Sequence, residues 1–324
     1  MEKHEWGAVA MIESGERSVL GHGISAKPGS ARRRPDIYRI YGARRPVIWL
    51  VNFLAVLFGV YILIPLYWIL LGSMKTNNNV VNSFGFFPAL PFFLFENLSR
   101  LFTYDNGEFG RWLLNTLFYS LSAGVGGTIF ASFAGFAFAK YRFTGRRAIM
   151  GLVLAVVAVP ATALTIPLYL LYTDLRLTNN PLGIILPGLG TAFGAFLMFV
   201  YVRGSVPDSV LDAARVDGAS ESRVFWRVAL PMTLPGAVTV LLFTIVGTWN
   251  NYFLPLLIFT KTSLFPLTLG LAGWNSSTSS GYGTHILYAL IVTGGLVTML
   301  PTIVLFLALQ KYWRQGLTLG STVG

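Results

Sequence analysis

Cysteine is absent from the 324 residues, which removes disulfide frameworks, thiolate metal sites and thiol nucleophiles together. Charge is scarce: Asp, Glu, Lys and Arg make up 11% of the chain against 54% for apolar residues. A soluble domain carries about a quarter charged residues, so this balance excludes an ordinary water-soluble enzyme. No Gly-x-x-x-x-Gly-Lys-Ser/Thr phosphate loop occurs, and the glycines are scattered through apolar runs and turns. The chain is therefore not expected to hydrolyse ATP itself. No cofactor or metal is expected either.

What is present is a set of long uncharged runs. A transmembrane helix needs about 20 mostly apolar residues to cross about 30 Å of hydrocarbon. Six runs meet that length: Val47 to Leu71, Leu113 to Ala139, Ala148 to Tyr172, Leu182 to Val202, Ala237 to Phe259 and Ile286 to Gln310. The expected fold class is all-α, a polytopic membrane protein with six transmembrane helices spanning residues 47–310.

The net charge of +11 does not read as a nucleic-acid surface, because the basic residues flank apolar runs instead of interleaving with exposed aromatics. They read as topology signals. Lys and Arg number 9 up to Pro46, 4 in Lys140 to Arg147, 4 in Arg203 to Gly236 and 2 from Lys311 onward; the opposite segments carry 3, 1 and 1. The positive-inside rule then places both termini in the cytoplasm. Residues 1–46 have no apolar core and read as a disordered basic tail whose arginines fix topology and touch anionic lipid. Residues 311–324 read as a second cytoplasmic tail.

Ionisable groups at mid-membrane cost about 2.5–3.5 kcal/mol each and are kept mainly where protons, ions or substrate charge must pass. The six runs contain none, and His285 at a helix mouth is the nearest candidate. Proton relays and intramembrane carboxylate catalysis are therefore not expected. Breaks at Pro160, Pro167, Pro187, Pro255 and Pro301 leave an Na⁺ site of backbone carbonyls conceivable, so a stand-alone secondary carrier or channel for a neutral solute is the alternative function.

The second run carries a small-residue ladder, Ala123, Gly127, Ala131, Gly135 and Ala139. Residues at this spacing let helix backbones approach closely, within a bundle or across a subunit interface. Neutral hydrogen-bonding groups also enter the runs: Asn115, Thr116, Thr162, Thr165 and Thr191, and the cluster Thr248, Trp249, Asn250, Asn251, Tyr252. Amides and aromatic faces suit a path for a hydroxyl-rich solute, while bonding between helices is the plainer reading of each. The outer loop from Asn82 to Phe102 is rich in Phe and Pro and reads as an interfacial aromatic belt.

The longest internal loop on the basic side, Arg203 to Gly236, predicts two short amphipathic helices. The first starts after Ser205, carries Val210, Leu211 and Ala214 on one face and stops at Gly218. The second starts at Ser220, carries Val224, Phe225 and Val228, and ends before Pro231. With Phe225 and Trp226 outside the bilayer, these helices are expected to need a partner, either a groove on another protein or the lipid headgroups.

Asp212, Ala213, Ala214, three residues, Gly218, nine residues, then Val228, Ala229, Leu230, Pro231 resembles the Glu-Ala-Ala loop of binding-protein-dependent ABC importer permeases, with Asp212 where Glu is usual. Further stretches, Asn115 to Phe143, Ile166 to Tyr169, Thr248 to Leu256 and the closing QGLTLGSTVG, resemble carbohydrate-importer permeases of the maltose-transporter type, the six-span subunit. That resemblance implies a type I ABC importer permease fold and a chain that is half of a heterodimer with a second permease subunit. It also implies two cytoplasmic ATP-binding cassette subunits and an extracytoplasmic sugar-binding protein. The loop would then be the coupling helix, with Asp212, Ala213, Ala214, Asp217, Gly218, Ala219, Phe225, Leu230 and Pro231 at the ATPase contact. Asn115, Trp249, Asn250, Asn251 and Tyr252 would lie along the substrate path. The outer Phe- and Pro-rich loop would help receive the binding protein.

Overall fold

The computed structural model describes residues 45–279 and 287–319. His285, residues 1–44 of the basic tail and residues 320–324 lie outside the described residues. The chain divides into two units between Gly59 and Val60. The described part of the first is the opening of α1 (Arg45–Ser73), a helix with mean hydropathy 2.6 and none of that apolar window buried. A helix apolar on every side is one solvated by lipid.

The second unit carries the rest of α1 and then α2 (Asn77–Asn82), α3 (Leu94–Thr103), α4 (Glu108–Lys140), α5 (Arg146–Ala158), α6 (Thr165–Asp174), α7 (Leu182–Leu189), α8 (Ala192–Ser205), α9 (Asp208–Val216), α10 (Glu221–Met232), α11 (Leu234–Trp249), α12 (Phe253–Ile258), α13 (Leu267–Ser279) and α14 (Tyr288–Leu319). No strand occurs among the described residues. Among the described residues four helical stretches are long and apolar enough to cross a bilayer, and six are if each of two bent pairs is one span.

Two of the six runs are bent. The third run breaks at Val159–Pro160, and its two halves, Arg146–Ala158 and Ala161–Asp174, diverge by 99°. Pro160 has no N–H to continue the ladder and drives Val159 into an extended conformation, φ −80° and ψ 125°. The fifth run begins earlier than expected, at Leu234, and α11 turns 82° away from α10. Nor does that run continue as one helix to Phe259, since α11 stops at Trp249 and α12 opens at Phe253. The sixth helix runs on to Leu319, so the chain after Gln310 is helix before it is tail.

The bundle is organised around α4. Four buried clusters lie along it: Leu101, Phe109 and Trp112 with Trp249 and Trp274; Tyr119 with Tyr172, Ile184 and Ile258; Ala131 with Met198 and Val240; and Phe136 with Val202, Leu211 and Phe225. The small-residue ladder makes the middle of this packing possible. A Cβ added at Gly127 would stand 2.3 Å from the Gly188 carbonyl oxygen, and one at Gly135 would stand 2.6 Å from the Met198 backbone. Seen from the other side, a Cβ on Gly188 would meet Ala123 at 2.5 Å. From Ala123 to Gly135 the ladder therefore packs on α7 and α8 of its own chain, which decides between the two uses the spacing left open. At these separations backbone Cα–H···O contacts and dispersion hold the helices together in place of hydrophobic drive.

Replacing Gly135 with Val forces backbone atoms of α8 to move. Overpacking of this kind costs about 1–3 kcal/mol, and the Tm of the purified chain in detergent is expected to fall by about 5 °C or more. Gly151→Ala, where a Cβ meets nothing within 4 Å, is the matched control and should leave Tm unchanged or raised. Equal Tm values for the two variants would refute the close-packing assignment.

Candidate functional site

The loop between α8 and α11 is folded by its own sequence. Val206 is extended, and Pro207, with φ −66°, precedes the first turn of α9, where a missing N–H costs nothing. At the other end Gly218 takes φ +79° with open space around its Cβ position. The Ala219 N–H donates to Ala214 O and the Gly218 N–H to Arg215 O, both at 3.0 Å. This paired closure, a six-residue turn around a four-residue one, stops the helix at a left-handed residue, a conformation that glycine adopts without strain. Ser220 then precedes α10.

The expectation that the second helix ends before Pro231 is corrected. It continues to Met232 by way of a π turn over Phe225–Ala229, in which the Leu230 N–H donates to Phe225 O. The wider turn opens the helix where the Pro231 ring would otherwise meet the preceding carbonyls.

A second correction concerns packing. Phe225 does have its own chain to pack on: it is 4% exposed, stacks on Phe133 with centroids 4.4 Å apart and meets Phe136 edge-on at 5.5 Å. Leu211, Val224 and Ala229 are buried with it against Phe136, Val202 and Val206. Phe133, Phe136 and Val202, which supply this platform, lie at the ends of the apolar runs of α4 and α8, where hydropathy alone gives no sign of a contact with the loop. Trp226 stays largely exposed beside Phe133 and lines an apolar cleft with Leu230, Leu234 and Leu241.

The sequence-derived coupling residues therefore divide in two. Asp212, Ala213, Asp217, Gly218 and Pro231 are exposed, whereas Ala214, Ala219 and Leu230 are half-buried and Phe225 is buried. Val216, 88% exposed at the loop tip, is a member of the exposed edge that the motif did not single out.

A polar clasp, also invisible to the motif, ties this loop to the end of α4. Lys140 Nζ donates to Val206 O at 2.5 Å and to Asp208 at 2.6 Å, with its own side chain 8% exposed. Tyr141 OH donates to Glu221, whose carboxylate also accepts from Arg215 at 2.8 Å; Arg215 reaches Asp212 at 2.9 Å. The Lys140 ammonium holds the Asp208 carboxyl below the usual carboxylate range, and the Arg215 and Tyr141 bonds do the same for Glu221. Burial, then the Glu221 carboxylate, pushes the Tyr141 phenol up. No group of three or more His, Asp and Glu among the described residues is placed to hold a metal.

The residues assigned to a substrate path do not form one surface. Because α11 ends at Trp249, the stretch Trp249 to Tyr252 is not the helical turn expected of it. Trp249 is buried in the Trp112 cluster, Tyr252 packs beside Ile258 and Phe259, and the Asn251 carbonyl accepts from Thr268 at 2.7 Å. Asn250 is exposed and donates to Val246 O. Asn115 belongs to a bracket on α4: its amide donates to Ser263 O and Phe265 O, Trp112 donates to Thr262 O, Tyr119 donates to Leu264 O, and Thr116 accepts from the Leu267 N–H. These four side chains, spaced along one face of α4, satisfy backbone groups of the segment between Thr262 and Leu267 that follows the fifth run.

The geometry is that of a helix bundle of bent, membrane-length spans with a folded loop clasped to its central helix, and comparison with known proteins gives the family. Residues 127–318 match the family described as binding-protein-dependent transport system inner membrane component. The chain belongs to that family, as an inner-membrane, multi-pass permease subunit and not an enzyme. It is 32% identical to the arabinooligosaccharides transport system permease protein AraQ of Bacillus subtilis, over 81% of this chain and 91% of that one. It is 30% identical to the diacetylchitobiose uptake system permease protein NgcG of Streptomyces coelicolor, over 80% and 83%. Among solved structures, a bacterial ABC transporter involved in the import of the acidic polysaccharide alginate contains a chain of TM-score 0.69 and 25% identity, covering 89% of this chain and 100% of that one. The alternative of a stand-alone carrier finds no support among these relatives.

Two outcomes follow from the geometry. Phe225→Ala should destabilise the isolated chain by about 3–5 kcal/mol, as for a buried aromatic, whereas a residue used only for docking would leave its Tm unchanged. Asp208 and Glu221 have lowered pKa values in the fold, so their ion pairs contribute above the unfolded carboxylate range and are lost as pH falls through the folded values. Hydrogen exchange over residues 206–230, corrected for intrinsic rates, should stay flat from pH 7 to about 5 and rise below about 4. In Lys140→Met with Tyr141→Phe it should already be fast at pH 7; unchanged protection in that variant would remove the clasp.

Proposed function

We propose that this chain is one of the two permease subunits of an ATP-driven, binding-protein-dependent sugar importer and forms half of its translocation path. The carrying observation is the loop: an exposed edge of Asp212, Ala213, Val216, Asp217 and Gly218 mounted on a platform clasped to the central helix. Such an edge fits the groove of a partner, while its buried side and clasp hand the partner's movement to α4. Basic residues concentrate on the side of this loop, which supports placing it and both termini in the cytoplasm.

The partners in this reading are a second permease subunit, two ATP-binding cassette subunits that dock on the loop, and an extracytoplasmic sugar-binding protein. Oligosaccharides are the favoured cargo because they are what the names of AraQ and NgcG specify for those proteins. On this chain the exposed Asn250 amide and the half-buried Tyr252 ring are the groups best suited to a hydroxyl-rich solute.

Charge reversal of Asp212 and Gly218→Val, which forces a β-branched residue to φ +79°, test the coupling role. Sugar uptake and stimulation of the partner ATPase should each fall at least tenfold in the assembled transporter while membrane insertion stays normal. Transport at the unaltered level would refute the docking role.

A further inference from the structure

The spans α5 and α8 pack together and leave a groove of about 460 Å³ lined by Arg146, Arg147, Met150, Gly151, Leu154 and Phe199. Its chemistry is polarised. The two arginines open it in the first turn of α5, and Arg203 lies one turn beyond Phe199 on the same face of α8. Below them the walls are apolar from Met150 to Leu154, five residues and about 6 Å of helix. A Cβ at Gly151 would meet nothing within 4 Å, so glycine leaves the groove open there.

The cations at the mouth have no carboxylate of their own. Among the described residues the ion pairs use only Lys140 and Arg215 as cations, and Arg146 is engaged by one neutral acceptor, the Tyr141 carbonyl at 3.3 Å. Amide and hydroxyl side chains are missing from the lining, which leaves nothing to recognise a sugar or a base. A negative headgroup above an aliphatic chain matches both ends of the groove, and its position at the end of a membrane span is where the bilayer offers that molecule.

We propose that this groove binds an anionic phospholipid of the surrounding bilayer, with its phosphate at Arg146 and Arg147 and the upper part of one acyl chain along Met150, Gly151, Leu154 and Phe199. The site is separate from the loop edge and from the sugar reading, and stands or falls without them.

The test uses the full-length chain in detergent, titrated with phosphatidylglycerol and with phosphatidylcholine of the same acyl chains and read by native mass spectrometry. Phosphatidylglycerol should bind at least tenfold more tightly. Arginines near a membrane surface contribute about fivefold each, so R146Q/R147Q should lower its affinity at least tenfold, to the level of phosphatidylcholine. G151F, which fills the groove and keeps both charges, should weaken both lipids, and R100Q/R111Q should change neither. In vesicles, a phosphatidylglycerol carrying a diazirine in its acyl chain should label residues 146–154 and 199–203. Equal binding of the two lipids, an undiminished preference in R146Q/R147Q, unchanged binding in G151F, or labelling only elsewhere would each overturn the site.

Discussion

Backbone contact along α4 is the constraint on which the structure depends. Lipid tails are as apolar as leucine, so hydrophobic burial cannot drive these helices together, and short separation has to substitute for it. Gly127 and Gly135 bring α4 onto Gly188 and Met198 at distances no side chain would allow. Once those contacts fix α7 and α8 against α4, the larger residues above and below have defined partners. Trp112 packs on the face left bare by Gly270, and Phe225 enters the gap between Phe133 and Phe136. A single helix of 33 residues, about 50 Å long, thus aligns every buried cluster of the second unit.

Much of this was legible in the sequence because the bilayer imposes simple rules. Uncharged length located the crossings, and four-residue spacing of small side chains located the close-packed face. The bends were not legible from hydropathy, since an apolar run reads the same whether it is straight or broken. Pro160 was a visible candidate, but Pro187 and Pro301 sit inside helices, and only packing separates the prolines that break a span from those that are accommodated. The stop at Trp249 has a similar origin: Trp249 is claimed by the cluster around Trp112 and Trp274, and the chain leaves the helix there.

The loop was legible where its chemistry is local. Gly218 and Ala214 are four apart because the carbonyl of one and the left-handed turn of the other close the same helix end. Its platform was not legible, because Phe225 meets α4 across some ninety residues of chain and no periodicity records that meeting. The same holds for Lys140 and Asp208, 68 residues apart. A lysine closing an apolar run looks like a topology signal, and here it is also a structural tether with two acceptors.

The hydrogen-bonding side chains inside the spans illustrate how one composition serves two purposes. Asn115, Thr116, Trp112 and Tyr119 could each have been read as lining for a polar solute, yet their polar atoms are engaged by the backbone between Thr262 and Leu267. Backbone that leaves a regular helix has to find other partners for its polar groups, and the side chains of α4 supply them here. Both ends of α4 consequently grip non-helical chain, the segment after Phe259 at one end and the loop after Ser205 at the other. Under the proposed reading, a partner that displaces the loop cannot do so without also moving α4, since the Lys140 bonds and the buried Phe225 ring would otherwise have to be broken. In that reading the linkage requires no charged residue within the bilayer, in keeping with six apolar runs that contain none.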